Sequence, residues 1–134
     1  MKTKLAIVAA GFGMLLASVP AIAHHSFAAE FDSAKPIKLT GSVTKIEWMN
    51  PHAYFYIDVK DEKTGQVANW GLEMGSPNGL MRQGWTRNSM KVGDVITVEG
   101  SAAKDGSNIG NARSVSLAGG QRLFAASSQA PATP

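Results

Sequence analysis

Apolar side chains at alternate positions dominate the middle of the chain, and this spacing is typical of β-strands with one buried face. In residues 53–59, Phe55 and Ile57 belong to one such series, and polar or tyrosine side chains fill the positions between them. Four further segments have a similar spacing: residues 37–48, 66–74, 95–100 and 112–117. The phase of the first segment changes near Thr44 and Lys45, which predicts a β-bulge there.

One short helix is predicted between the third and fourth strands. Ser76 and Pro77 are a typical helix start, and Gly84 is a typical end. Three strands, a short helix and two more strands follow the order of an OB-fold. The prediction is therefore a mainly β fold, a small OB-like barrel of five or six strands. A six-stranded sandwich and an SH3-like barrel remain as alternatives.

The amino terminus has the features of a secretory signal peptide. Lys2 and Lys4 precede an uncharged apolar run over residues 5–18, and Ala21 and Ala23 occupy the positions that a signal peptidase reads. An uncleaved membrane anchor is the alternative, but the run is shorter than the about 20 residues that a spanning helix needs. We expect cleavage after Ala23, a periplasmic or secreted bacterial protein, and no stable membrane insertion after cleavage.

Cleavage divides the chain and changes its charge. We expect a signal peptide over 1–23, a lead-in segment over 24–36, the barrel over 37–124 and a flexible tail over 125–134. Loss of Lys2 and Lys4 removes two positive charges and lowers the net charge from +3 to +1. A basic excess is the electrostatic footprint of nucleic-acid binding, so this class of partner is not expected.

The residue types that most enzymes use are not arranged in recognisable motifs. The chain has no Cys, which excludes disulfides, thiolate metal sites and cysteine nucleophiles. Its serines lack the nucleophile-elbow pattern, and residues 106–110 lack the spacing and the lysine of a phosphate-binding loop. We therefore expect a protein that is not an enzyme.

Several motifs resemble a family of small exported bacterial proteins of unknown function. They include His24-His25-Ser26-Phe27, Asn50-Pro51-His52-Ala53, Ser76-Pro77-Asn78 and Lys91-Val92-Gly93-Asp94. Together the motifs cover nearly all of the chain after the signal peptide. The resemblance implies export and a compact β domain, and it implies no activity. A looser similarity to exported bacterial OB-fold proteins rests on the strand order and the Lys-x-Gly-Asp turn.

The three histidines suggest a metal site. Cleavage after Ala23 gives His24 a free α-amine beside its imidazole, and these two nitrogens can chelate one ion. A further imidazole from His25 or His52 would complete a three-nitrogen site, which suits Cu(II) and is compatible with Zn(II) or Ni(II). Copper-binding proteins with an N-terminal histidine are similar in this end group. The alternative is that the histidines are solvated or serve only in turns.

Aromatic and basic side chains suggest a second kind of site. Tyr54 and Tyr56 lie on the opposite parity to Phe55 and Ile57, so we expect them on an exposed face. Arg82 and Arg87 flank Trp85 and offer contacts to an anionic ligand. The favoured interpretation is a non-catalytic exported binding protein, and its most concrete form binds copper or another transition metal through the mature N-terminal histidine. The alternative is an interaction module in which these five residues bind an unknown periplasmic protein or a small ligand.

The cleavage site is directly testable. Intact-mass analysis of protein purified from the periplasm of its host should give the mass of residues 24–134, with a free α-amine on His24. A mass that includes Ala23 or earlier residues would contradict the proposed N-terminal chelate.

Overall fold

The computed structural model of the protein describes residues 27–127. In this range the chain forms two short helices and six strands. The helices are α1 (Phe27–Glu30) and α2 (Pro77–Arg82). The strands are β1 (Phe31–Glu47), β2 (Tyr54–Lys60), β3 (Val67–Glu73), β4 (Val95–Ala103), β5 (Ile109–Ser116) and β6 (Arg122–Phe124).

The six strands form one sheet in the order β3-β2-β1-β4-β5-β6. Neighbours in this order are antiparallel, but the start of β5 also pairs in parallel with the end of β3. This pairing places Gly71 beside Ile109 and Glu73 beside Asn111, and it closes the sheet in a ring. The prediction of a mainly β fold with a short helix between the third and fourth strands is confirmed.

The first strand starts earlier than the sequence pattern predicts. Phe31 already pairs with Ala103 of β4, so residues 31–36 belong to β1 and not to a lead-in segment. The register shifts between Asp32 and Pro36. A proline is tolerated in a strand at such an irregularity because the missing N–H interrupts no regular ladder. Pro36 therefore lies within β1 and does not mark its start.

The apolar series of the strands point into one core, as the alternation predicts. Phe55 and Ile57 are fully buried, whereas Tyr54 and Tyr56 are half-buried on the other face of β2. The β1–β2 register shifts between Val43 and Lys45, which confirms the predicted bulge. A bulge bends and twists a strand, so one long strand can pair with β2 at one end and β4 along the rest.

Helix α2 covers one end of the core. The Ser76 side chain accepts a hydrogen bond from the Gly79 N–H at 3.1 Å, and Pro77 occupies the first turn. Leu80 is fully buried, which anchors the helix in the core. Gly84 has a φ of +96°, a conformation that ends helices and that glycine adopts without strain.

The segment after β6 continues the ring closure. The Ala125 N–H donates to the Arg113 carbonyl at 2.8 Å, and the Ala125 carbonyl accepts from the Gly75 N–H at 2.8 Å. Ala125 is fully buried, so the predicted flexible tail cannot begin there. None of the helices in residues 27–127 has the length and apolar character needed to cross a membrane.

The close approach of β4 and β5 predicts a stability effect. A Cβ on Gly100 would lie 1.9 Å from the Asn111 carbonyl oxygen, beside an irregularity in the β4–β5 register. Backbone atoms must move to admit it, so Gly100→Ala should lower the free energy of unfolding by about 3 kcal/mol, measured by urea denaturation. The matched control is Gly119→Ala, where a Cβ meets nothing within 4 Å. Equal stability of the two variants would contradict the close approach.

Candidate functional site

A carboxylate is buried where β3 ends. Glu73 is the last residue of β3, and only 6% of its surface is exposed. Its backbone pairs with Tyr54 of β2 on one side and with Asn111 of β5 on the other. The ring closure therefore encloses Glu73 between two strands. Carboxylates are rarely buried to this degree unless their oxygens have partners.

His52 and Tyr54 supply those partners. The His52 Nδ1 atom lies 2.7 Å from Glu73 Oε1, and the Tyr54 hydroxyl donates to Glu73 Oε2 at 2.8 Å. When the Glu73 carboxylate is ionised it only accepts hydrogen bonds, and in that state His52 donates through Nδ1–H. The Nε2 atom of the neutral ring then carries the lone pair that can bind a metal ion. We refer to these three residues as the Glu73 cluster.

Backbone hydrogen bonds fix the cluster in place. The Ala53 N–H donates to the Gly75 carbonyl at 2.9 Å, and the Met74 N–H donates to the Ala53 carbonyl at 2.8 Å. Ala53 itself is fully buried between His52 and Tyr54. The backbone of Ala53 is therefore fixed, and so are its neighbours His52 and Tyr54, whose side chains contact Glu73.

The pKa of the Tyr54 phenol reflects the electrostatics of the cluster. Burial raises the pKa of the Tyr54 phenol, and the hydrogen bond to Glu73 and the charge on Glu73 raise it further. Phenolate formation would place two negative charges side by side. Within residues 27–127, the ion pair of Glu73 is with His52, which is charged only when protonated.

A cleft of about 350 Å³ is lined by two of the three cluster residues and not by His52. Tyr54 and Glu73 form part of its wall. The rest of the wall comes from α1, the start of β1 and the β4–β5 connection, and it includes Glu30, Phe31, Lys104, Asp105 and Ile109. The size is near the lower end of small-molecule sites. A hydrogen bond from the Lys104 N–H to the Glu30 carbonyl, at 2.9 Å, holds helix α1 at the edge of the cleft.

The structure does not assemble the predicted aromatic and basic face. The Tyr56 hydroxyl donates to Glu47 Oε2 at 3.3 Å, away from the Glu73 contact of Tyr54. Arg82 and Arg87 are exposed. Trp85 is only 3% exposed, and its Nε1–H donates to the Phe124 carbonyl at 2.8 Å. The assignment of Trp85 to a ligand-binding surface is therefore corrected: its ring packs in the core.

The predicted metal ligands are divided by the limits of the described chain. His52 lies in the Glu73 cluster, and His24 and His25 lie outside the described residues. Residues 27–127 contain no group of three or more His, Asp or Glu side chains placed to hold a metal ion. A site of the predicted kind therefore depends on His24 or His25.

Sequence reasoning missed Glu73, although the signal was present. The hairpin loop over residues 61–66 sets Lys60 opposite Val67, and the same register continues to Tyr54 opposite Glu73. Counting along the two predicted strands from that loop would have brought a carboxylate beside His52. The spacing of apolar residues within one strand does not show which residues of two neighbouring strands lie opposite each other.

Comparison with known proteins gives a family. A family profile matches residues 13–112, most of the chain. The chain belongs to DUF6152, a family of unknown function. No curated protein and no solved structure matches the chain. Membership in a family of unknown function confirms that part of the resemblance.

The two tyrosines allow a matched test of the cluster. Tyr54→Phe removes a 2.8 Å hydrogen bond to the buried Glu73 carboxylate and should lower the free energy of unfolding by about 1.5 kcal/mol. Tyr56→Phe removes a longer, 3.3 Å hydrogen bond to the partly exposed Glu47 carboxylate and should cost at most about 0.5 kcal/mol. Urea denaturation at pH 7 measures both, and a larger loss for Tyr56→Phe would contradict the assigned geometry.

Proposed function

We propose that the protein is a non-catalytic binding protein of the bacterial periplasm that holds a transition metal ion, foremost Cu(II). The α-amine and imidazole of His24 form the first chelate ring, and His25 or His52 supplies the third nitrogen. The hydrogen bond between His52 Nδ1 and Glu73 Oε1, at 2.7 Å, carries this proposal. Metal-binding histidines characteristically donate their second ring N–H to a carboxylate or a carbonyl.

The exposure of His52 supports the same role. Its side chain is 28% exposed, while its carboxylate partner is buried. The ring is therefore anchored at Nδ1 without being enclosed.

The position of α1 supports participation of the amino terminus. The helix begins at Phe27, three residues after His24, and three residues span at most about 11 Å. Glu30 at its other end lines the same cleft as Tyr54 and Glu73. The charge on Glu30 also contributes to the raised pKa of Tyr54.

The donor set determines the expected metal. One amine and two imidazoles are nitrogen ligands of intermediate softness, which bind Cu(II) more strongly than other divalent first-row ions. Copper is the expected ion, and Zn(II) and Ni(II) are weaker competitors for the same atoms. The amine becomes available only when the signal peptide is removed, so metal binding would follow export.

Cu(II) titration of the processed protein tests the proposal. Protein purified from the periplasm and starting at His24 should bind one Cu(II), measured calorimetrically at pH 7.5 against a competing chelator. A four-residue Gly/Ser extension before His24 separates the amine from the imidazole and should weaken binding by about 100-fold or more, because one arm of the chelate is lost. This extension leaves no histidine among the first three residues, where backbone nitrogens would create a different copper site.

Two single variants identify the third ligand. His52→Ala should weaken binding if the folded domain supplies the third nitrogen, and His25→Ala serves as its matched control in the amino-terminal segment. Equal affinity of the processed and extended chains would overturn the N-terminal chelate. Unchanged affinity in His52→Ala would remove the folded domain from the site.

A further inference from the structure

We infer that Glu73 is the positioning residue that makes His52 a metal ligand, with Tyr54 holding the second oxygen of its carboxylate. This inference rests on the proposed function, because it concerns the same metal site. Its physical content is a hydrogen-bonded series from the Tyr54 hydroxyl through the Glu73 carboxylate to the His52 ring. The metal would bind at the far nitrogen of that ring.

Geometry gives the first argument. With Nδ1 held at 2.7 Å from Glu73 Oε1, both the tautomer and the orientation of the His52 ring are set before any metal binds. A preset lone pair on Nε2 avoids the cost of reorganising the ring on binding. Tyr54 occupies the other carboxylate oxygen at 2.8 Å, so Glu73 cannot turn toward the cleft without losing a hydrogen bond.

Charge gives the second argument. Only 6% of the surface of Glu73 is exposed. Its carboxylate oxygens form hydrogen bonds with the phenol of Tyr54 and the imidazole of His52. A buried carboxylate is stabilised by a positive charge close to it. A divalent ion on Nε2 would supply that charge through the ring and would strengthen the Nδ1–H to Oε1 hydrogen bond. Metal binding and burial of Glu73 would therefore favour each other.

A purely structural role for the trio is the competing explanation. The strand ends at this point are already joined by the backbone hydrogen bonds between Ala53 and residues 74 and 75. The register of β2 with β3 continues unbroken from Lys60 to Tyr54. The side-chain trio is therefore not required to hold these strand ends together, and a role in orienting His52 is the better explanation of its geometry.

The tautomer of His52 in the metal-free protein is the first test. Long-range proton–nitrogen NMR spectra of the unmodified processed chain, at alkaline pH where imidazoles are neutral, should show the proton on Nδ1. A predominant Nε2–H tautomer would overturn the inference. This measurement needs no variant and no metal, so it distinguishes failure of this inference from failure of the proposed function.

A double-mutant cycle for Cu(II) affinity is the second test. Glu73→Gln should weaken Cu(II) binding by about 10- to 100-fold, as expected for the outer partner of a ligating histidine. In the His52→Ala background, Glu73→Gln should change the affinity by less than about twofold, because its effect passes through the ring. A similar loss in both backgrounds would overturn the positioning role and indicate a general structural effect.

A matched carboxylate controls for charge. Glu47→Gln removes a partly buried carboxylate that contacts Tyr56 and Lys45, and it should leave Cu(II) affinity within about twofold of the unmodified chain. The electron paramagnetic resonance spectrum of bound Cu(II) should change in Glu73→Gln and not in Glu47→Gln. If both variants change the affinity and the spectrum alike, long-range charge explains the effect and the inference is wrong.

Discussion

The parallel pairing of β3 with β5 is the constraint on which the rest of the structure depends. Without it, the six strands would form an open sheet and the end of β3 would be an edge exposed to water. With it, Glu73 is paired with Tyr54 on one side and Asn111 on the other, and its carboxylate is withdrawn from solvent. The same strand pairing therefore closes the ring and buries the Glu73 carboxylate.

The sequence predicts those parts of the fold in which the alternation of apolar residues within one strand identifies its buried face. Alternation identified β2, and the change of phase near Thr44 identified the bulge in β1. The two strand starts that prediction placed too late, at Phe31 and Ile109, lie where pairing is set by distant residues. Ile109 follows a segment rich in Gly, Ser and Asn, and local propensity there favours a loop. Its strand conformation comes from pairing with β3.

The candidate site divides in the same way. Residue type suggested His52 as a metal ligand, and strand parity suggested Tyr54 for an exposed face, but neither local property predicts that both contact Glu73. Glu73 is missed because its position beside them depends on the register across a hairpin. Trp85 is misassigned because its hydrogen bond to the Phe124 carbonyl joins residues that are distant in the sequence. Local pattern therefore identified the side chains able to do chemistry, whereas long-range pairing decided which of them meet.

The burial of Glu73 also separates stability from function. Taking a carboxylate out of water costs free energy that two hydrogen bonds recover only in part, so a buried carboxylate is weak evidence for a stabilising role. The core beside it is apolar and includes the buried side chains of Phe55, Leu72 and Met74. An acid held there, with one oxygen on Nδ1 of a partly exposed imidazole, fixes the orientation of that ring, and this orientation is what the proposed function would use.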